Sequence, residues 1–260
     1  MEKIARDNLK VCFFDSGIGG LTLLCECVKV LPGAQYFYFA DNFNVPYGSL
    51  GGDALFDKAD YFFRQISKLN PAAAVVACNT VTARCIKFLR EKYDFPIIGI
   101  QPAVKPAARA GTCAVLSTPS TANSEALKAL IDKYGEGRTI VAPCPDLAAY
   151  IEENIFNLDA ESIKNLLPRV KAEGIVLGCT HYSFIKRQIA EFYSDSQIYD
   201  GELGTAQRLK AVFQRLNVGF SEKIDSNSHS VPNFNVNVEF VGGDEVKNNR
   251  VFDLLLNGNV

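Results

Sequence analysis

Short apolar runs rich in β-branched and aromatic residues alternate with longer amphipathic segments along most of the chain. Strands are predicted at Lys10 to Phe14, Gln35 to Ala40, Ala72 to Ala77 and Ile97 to Ile100. Helices are expected between them: after the glycine-rich turn Asp15-Ser16-Gly17-Ile18-Gly19-Gly20 through about Val30, from Leu55 to Leu69, and from about Val81 to Tyr93. The rhythm then repeats, with strands at Thr112 to Leu116, Thr139 to Val141 and Gly174 to Leu177. Helices are expected there over about Ala122 to Tyr134, Ala148 to Ile155, Ala160 to Ala172 and Gly204 to Leu216. The polar stretch Ser221 to Asn233 reads as a loop. Such alternation predicts an α/β protein with doubly wound parallel sheets and helices on both faces.

Two strand ends share one design. Ala74-Val75-Val76-Ala77 runs into Cys78-Asn79-Thr80, and Gly174-Ile175-Val176-Leu177-Gly178 runs into Cys179-Thr180-His181. A buried strand that ends in a thiol followed by small polar residues delivers that thiol to a loop at its carboxyl end. The separation of Cys78 from Cys179 is 101 residues, and the same 101 residues separate Cys12 from Cys113 on the two first strands. A shared offset points to internal duplication, hence to two similar domains related by a pseudo-twofold axis.

At 260 residues the chain suits two compact lobes, each large enough for its own core. The formal charge of −2, with Lys and Arg scattered, provides no basic stripe for nucleic acid and suits a small-molecule partner. No apolar run is long enough to span a bilayer, and Met1 to Asn8 lacks the apolar core of a signal peptide, so no membrane is expected and the protein is expected in the cytoplasm. Of the eight cysteines, Cys12, Cys25, Cys27, Cys85 and Cys113 lie in apolar or helical contexts as packing residues, and the role of Cys144 is open. No paired CxxC spacing indicates zinc.

Ligands of parallel sheets bind outside the carboxyl ends of the strands, so facing halves would bring both cysteines to one interdomain cleft. Two opposed thiols can invert a stereocentre, one removing a proton from one face and the other returning one to the opposite face. Each cysteine also stands just before an expected helix start, where free N–H groups favour thiolate and bind carboxylates. Ser16, Asn79, Thr80, Thr118, Thr121 and Thr180 add uncharged donors. Taken singly, each cysteine reads equally as a buried packing residue, the glycine turn as an ordinary strand-to-helix connection, and His181 as a loop histidine. His229 reads as exposed, and Glu152 by itself as a solvated helix residue.

The segments Phe14-Asp15-Ser16-Gly17-Ile18-Gly19-Gly20-Leu21, Pro46-Tyr47-Gly48, Ala77-Cys78-Asn79-Thr80, Thr118-x-x-Thr121 and Leu177-Gly178-Cys179-Thr180-His181-Tyr182 together resemble glutamate racemases, with a weaker echo at Phe240-Val241-Gly242-Gly243-Asp244. The resemblance spans nearly the whole chain. It implies a cofactor-independent racemase of cell-wall precursor synthesis, with two α/β domains and the active site between them. Residues 1–99 together with 206–260 would form the first domain and residues 100–205 the second.

Carried over by motif, Cys78 would serve D-glutamate and Cys179 L-glutamate, with Asp15 and His181 assisting beside them. Ser16, Pro46, Tyr47, Gly48, Asn79, Thr80, Thr118, Thr121 and Thr180 would line the glutamate site, and Glu152 would be an acidic residue near the second cysteine. No metal or cofactor is implied, and a homodimer is compatible with the resemblance. The chain departs from the pattern at Asn44, where arginine is usual, at Ser117, where glycine is usual, and at Gly201, where serine is common. Aspartate and hydantoin racemases carry a similar cysteine pair. His181 favours glutamate over aspartate, since aspartate racemases tend to have an acidic residue there. The alternatives are a racemase of another amino acid, a catalytically silent amino-acid-binding module, and a thiol redox protein linking Cys78 to Cys179.

Overall fold

The computed structural model describes residues 9–135, 137–215 and 237–258. The expected loop at Ser221 to Asn233, with His229, lies outside the described residues. Two all-parallel sheets form the frame. The first contains β1 (Lys10–Asp15), β2 (Gln35–Ala40), β3 (Ala73–Val76), β4 (Ile97–Gly99) and β9 (Asn237–Val241) in the order β4-β3-β1-β2-β9. The second contains β5 (Cys113–Ser117), β6 (Thr139–Pro143), β7 (Gly174–Leu177) and β8 (Gln197–Tyr199) in the order β6-β5-β7-β8. In both, the first strand lies between its second and third, so the chain reverses direction across the sheet beside that first strand. Such a switch point leaves a crevice at the strand ends. Asp15 and Cys78 stand at one crevice, Ser117 and Cys179 at the other.

The equivalence of the halves is thus carried by strand order, but the register refines the spacing argument. Val11 pairs with Ala73 in the first sheet, whereas Cys113 pairs with Gly174 in the second. Ala73 and Gly174 keep the 101-residue offset, so Cys113 corresponds to Val11, one residue before Cys12. Side-chain direction agrees, because successive residues of a strand point to opposite faces. Cys12 packs with Phe63 and Leu89, while Cys113 packs in the cluster of Val104 and Leu127.

Helices cover both faces: α1 (Leu21–Val30), α2 (Gly52–Lys68), α3 (Asn79–Lys92), α4 (Val104–Ala110), α5 (Pro119–Ala122), α6 (Glu125–Tyr134), α7 (Leu147–Asn154), α8 (Ala160–Leu166), α9 (Lys186–Phe192), α10 (Glu202–Arg215) and α11 (Glu245–Leu256). In α2, Leu55, Ala59, Phe63 and Ile66 recur at helical spacing and are buried, which produces its apolar stripe. The helix expected from Ala122 is divided: Thr118 caps α5, and Ser124 caps α6 by accepting the Leu127 N–H at 3.1 Å. The one expected through Ala172 stops at Leu166. Leu167 precedes Pro168, and its ψ of 131° is the extended geometry that a following proline enforces. Among the described residues, no helix is long and apolar enough to cross a membrane. The largest buried cluster joins β1, α1 and α10 to β5, β7 and α7, so the two sheets share one apolar interior.

Candidate active site

Cys78 is the N-cap of α3 and Cys179 the N-cap of a 3-10 turn over Thr180–Ile185. Both thiols open into one small cavity of about 10 Å³, lined also by Ser16, Pro46, Tyr47, Gly48, Asn79, Thr80, Thr118, Ala148, Thr180 and His181. That volume is about one water molecule. A molecule much larger than water fits there only if the lining moves. Asp15, Thr121 and Glu152 stand behind this lining.

The first thiol lies beside Ser16, with 3.9 Å between Cys78 Sγ and Ser16 Oγ. Burial pushes the Cys78 thiol well above the ordinary range, and the Asp15 carboxylate adds to it; the Val81 N–H and Ser16 oppose this only in part. Cys78 therefore rests as a thiol. Asp15 is fully buried, accepting from the Gly17 N–H at 2.9 Å and from Thr180 Oγ1 at 3.3 Å. Burial raises its carboxyl to about 6, despite the His181 charge and the Gly17 N–H. A carboxyl poised there can take or release a proton near neutrality.

The second thiol is 3.8 Å from His181 Nδ1, and His181 Nε2 is 2.7 Å from Glu152 Oε2. Burial disfavours the imidazolium, but hydrogen bonds with Cys179 and Glu152 outweigh it and lift His181 well above its usual value. Cys179 Sγ and His181 Nδ1 are thus within hydrogen-bond range of each other. Glu152 is 3 % exposed, far from the solvated surface position that its helix alone suggests. Burial pushes its carboxyl up, but His181 and Lys247 prevail and hold it at about 2. It also accepts from the Ile18 N–H at 2.9 Å and Asn42 Nδ2 at 3.1 Å.

The glycine-rich turn owes its composition to this close approach. A Cβ on Gly17 would stand 2.3 Å from Glu152 Oε2, and one on Gly19 would stand 2.5 Å from Thr180 Oγ1 and 2.6 Å from His181 Nδ1. Only glycine lets the turn lie against the second half. Elsewhere Thr80 meets Thr118 and Thr121 through hydroxyl contacts of 3.1 and 3.3 Å. A Cβ on Gly48 would meet Thr118 at 2.6 Å. Tyr47 donates to Asp41 at 2.7 Å, and Asn44, at the position of the usual arginine, donates to the same carboxylate at 2.7 Å. Both amide atoms of Asn79 are buried without a partner, inside the cavity lining. Native interiors rarely leave such groups unpaired, so this amide is a candidate donor and acceptor for a molecule bound in the cavity.

All eight cysteines are free thiols, so no disulfide links Cys78 to Cys179 here. Cys144 is buried and donates to Ala142 O, a packing role. Ser117 ends β5 with its hydroxyl buried and unpartnered; nothing in the structure explains it. Sequence reasoning missed Asn42 and Lys247, both partners of Glu152. Asn42 follows the end of β2, so the strand-end rule could have found it. Lys247 follows the Gly242-Gly243-Asp244 echo by three residues, but no local pattern distinguishes it.

Comparison with known proteins gives one answer. The family model for Asp/Glu/hydantoin racemases matches residues 27–207. A glutamate racemase of Clostridium acetobutylicum is 40% identical over 229 residues, covering 83% of this chain and 89% of that protein. The structure of Francisella tularensis glutamate racemase in complex with D-glutamate has a TM-score of 0.76 at 26% identity, covering 96% of this chain and 94% of its own. That of Escherichia coli glutamate racemase, in complex with L-glutamate and an activator, has a TM-score of 0.74 at 27% identity, covering 79% and 82%. A shared topology, two matched strand-end thiols and these similarities have one reading: the chain belongs to the Asp/Glu/hydantoin racemase family.

Proposed function

We propose that the protein interconverts L- and D-glutamate by a two-base proton transfer between Cys78 and Cys179, without a cofactor, and supplies D-glutamate for peptidoglycan in the cytoplasm. The observation that carries this reading is the pair of strand-end thiols opening into one small cavity that also holds the unpartnered Asn79 amide. In this reading residues 1–99 with 206–260 make one domain and 100–205 the other, supported by the place of β9 in the first sheet.

With L-glutamate bound, the Cys179 thiolate takes the α-proton and becomes a thiol. The electron pair of the broken C–H bond delocalises into the substrate carboxylate. Cys78, resting as a thiol, then gives its proton to the opposite face, which leaves D-glutamate and a Cys78 thiolate. The reverse reaction begins from that state. Asn79, Thr80, Thr118 and Thr180 donate to the substrate carboxylates, and Ser16 stabilises the Cys78 thiolate when it forms. Closure excludes water, which strengthens these uncharged donors where charge develops. After D-glutamate leaves, one proton passes to the Cys78 thiolate and one leaves the Cys179 thiol, each exchanged with water, with Asp15 and His181 as the neighbouring groups; this restores the starting state.

The test is racemisation of L-glutamate, with L-aspartate in parallel, followed by circular dichroism in deuterated water without added cofactor. Loss of signal with glutamate, with deuterium at the α-carbon of the product, is the expected result. Activity with aspartate alone overturns the substrate, and exchange with neither overturns the reaction.

A further inference from the structure

The C-terminal helix α11 touches this machinery through one cation. Lys247 Nζ donates to the Glu152 backbone carbonyl at 2.6 Å and to Oε1 at 2.8 Å. The other carboxylate oxygen, Oε2, receives the Ile18 N–H at 2.9 Å and faces His181 Nε2 at 2.7 Å. His181 Nδ1 in turn stands 3.8 Å from Cys179 Sγ. We propose that Lys247 is a positioning residue for proton transfer at Cys179, acting through Glu152 and His181. The proposal rests on the two-cysteine reading above.

The geometry supports an orienting role over a general surface contact. Lys247 holds the backbone and one oxygen of the same residue, which fixes the carboxylate plane and aims Oε2 at the imidazole. Its side chain is 21% exposed and Glu152 4%, so the pair is largely withdrawn from water, where losing one partner matters most. The charged and titratable groups facing the Glu152–His181 pair are Asp15, Tyr38, Cys179 and Lys247. The thiol of Cys78 has other neighbours, Ser16 Oγ at 3.9 Å and, through its charge, the Asp15 carboxylate. Loss of Lys247 should therefore slow one of the two proton transfers and spare the other.

Enantiomers have equal free energies, so kcat/KM falls equally in both directions whatever the variant, and only isotope effects report which transfer has slowed. The experiment compares wild type, Lys247→Met, Lys247→Arg and Arg250→Met with α-protonated and α-deuterated L- and D-glutamate. Arg250 is a second cation on α11, and it stacks over Phe156 at 4.1 Å without touching Glu152, so it reports simple loss of a helix contact.

Lys247→Met is expected to lower kcat at least about tenfold, as befits a buried pair with one member removed. In that variant the substrate isotope effect on kcat/KM should rise for L-glutamate and fall for D-glutamate, because the Cys179 step then limits both directions. Lys247→Arg should restore most of the rate, with a smaller split of the same sense, and Arg250→Met should match wild type. If Lys247→Met fails to fold, the Lys247→Arg split decides. Unchanged isotope effects, an equal change for both enantiomers, or the opposite split overturns the proposal. Absence of racemisation by the wild-type chain overturns the reading beneath it and is seen first.

Discussion

Asp15→Asn should make the fold more stable at pH 8 while it impairs turnover. Ordinary aspartate titrates near 3.8, and burial moves Asp15 to about 6. At about 1.4 kcal/mol per pH unit, holding the ionised carboxylate in the fold costs about 3 kcal/mol above pH 6. Because the folded value is raised, the fold is favoured at low pH: the cost is fully present above pH 6, relieved as pH falls from 6 toward 3.8, and absent below. Asparagine has nearly the same shape, can accept the Gly17 N–H and can donate to Thr180, yet carries no charge to desolvate. It should therefore gain about 3 kcal/mol at pH 8 and almost nothing near pH 4. For a chain of this length that corresponds to a rise in melting temperature on the order of 5–10 °C. Urea unfolding of both proteins at pH 8 and pH 4 checks it. Equal stabilities at pH 8, or a difference that does not depend on pH, would refute the assignment of a buried, disfavoured charge. The wild-type chain retains this charge against its own stability, which is expected of a group kept for proton transfer.

Three further outcomes follow from the site. Cys78→Ser and Cys179→Ser should each reduce racemisation below detection with the fold retained, since a full turnover uses both thiols; near-normal rates in either variant would sink the two-base model. Gly19→Ala places a methyl 2.5 Å from Thr180 Oγ1, so closure should be blocked and kcat should fall about 100-fold, with little change in urea midpoint, because the clash arises where the halves meet. Asn79→Leu should raise KM for glutamate strongly while unfolding about 1 kcal/mol later or unchanged, since the empty fold leaves that amide unpartnered; a clear loss of stability would show that the amide has a structural partner.

How much of this was legible from residues alone divides along one line. Strand runs that end in Cys78 and Cys179, the turn from Asp15 to Gly20 and the rule that ligands gather at strand ends are local patterns, and they point to the loops that line the cavity shared by both thiols. The division of the helix around Ser124 and the stop before Pro168 are equally local, written as a cap and a breaker that override the apolar periodicity running through them. The edge strands β8 and β9 mix polar residues with their apolar ones, Gln197 in β8 and Asn237 and Glu239 in β9, so neither reads as the continuous apolar run of a buried parallel strand.

By itself, then, the sequence determined an α/β alternation, a doubled arrangement and two thiols delivered alike. Tertiary structure alone decided that Cys113 matches Val11 and not Cys12, that Gly17 and Gly19 are clearance for the opposite half, that Glu152 is buried, and that Asn42 and Lys247 hold it. The contacts Ile18 to Glu152 and Glu152 to Lys247 join residues 134 and 95 positions apart. Strand and helix periodicities extend over a few turns at most, so contacts at that range leave no trace in the pattern of apolar and polar positions; they exist only once two sheets have closed on each other.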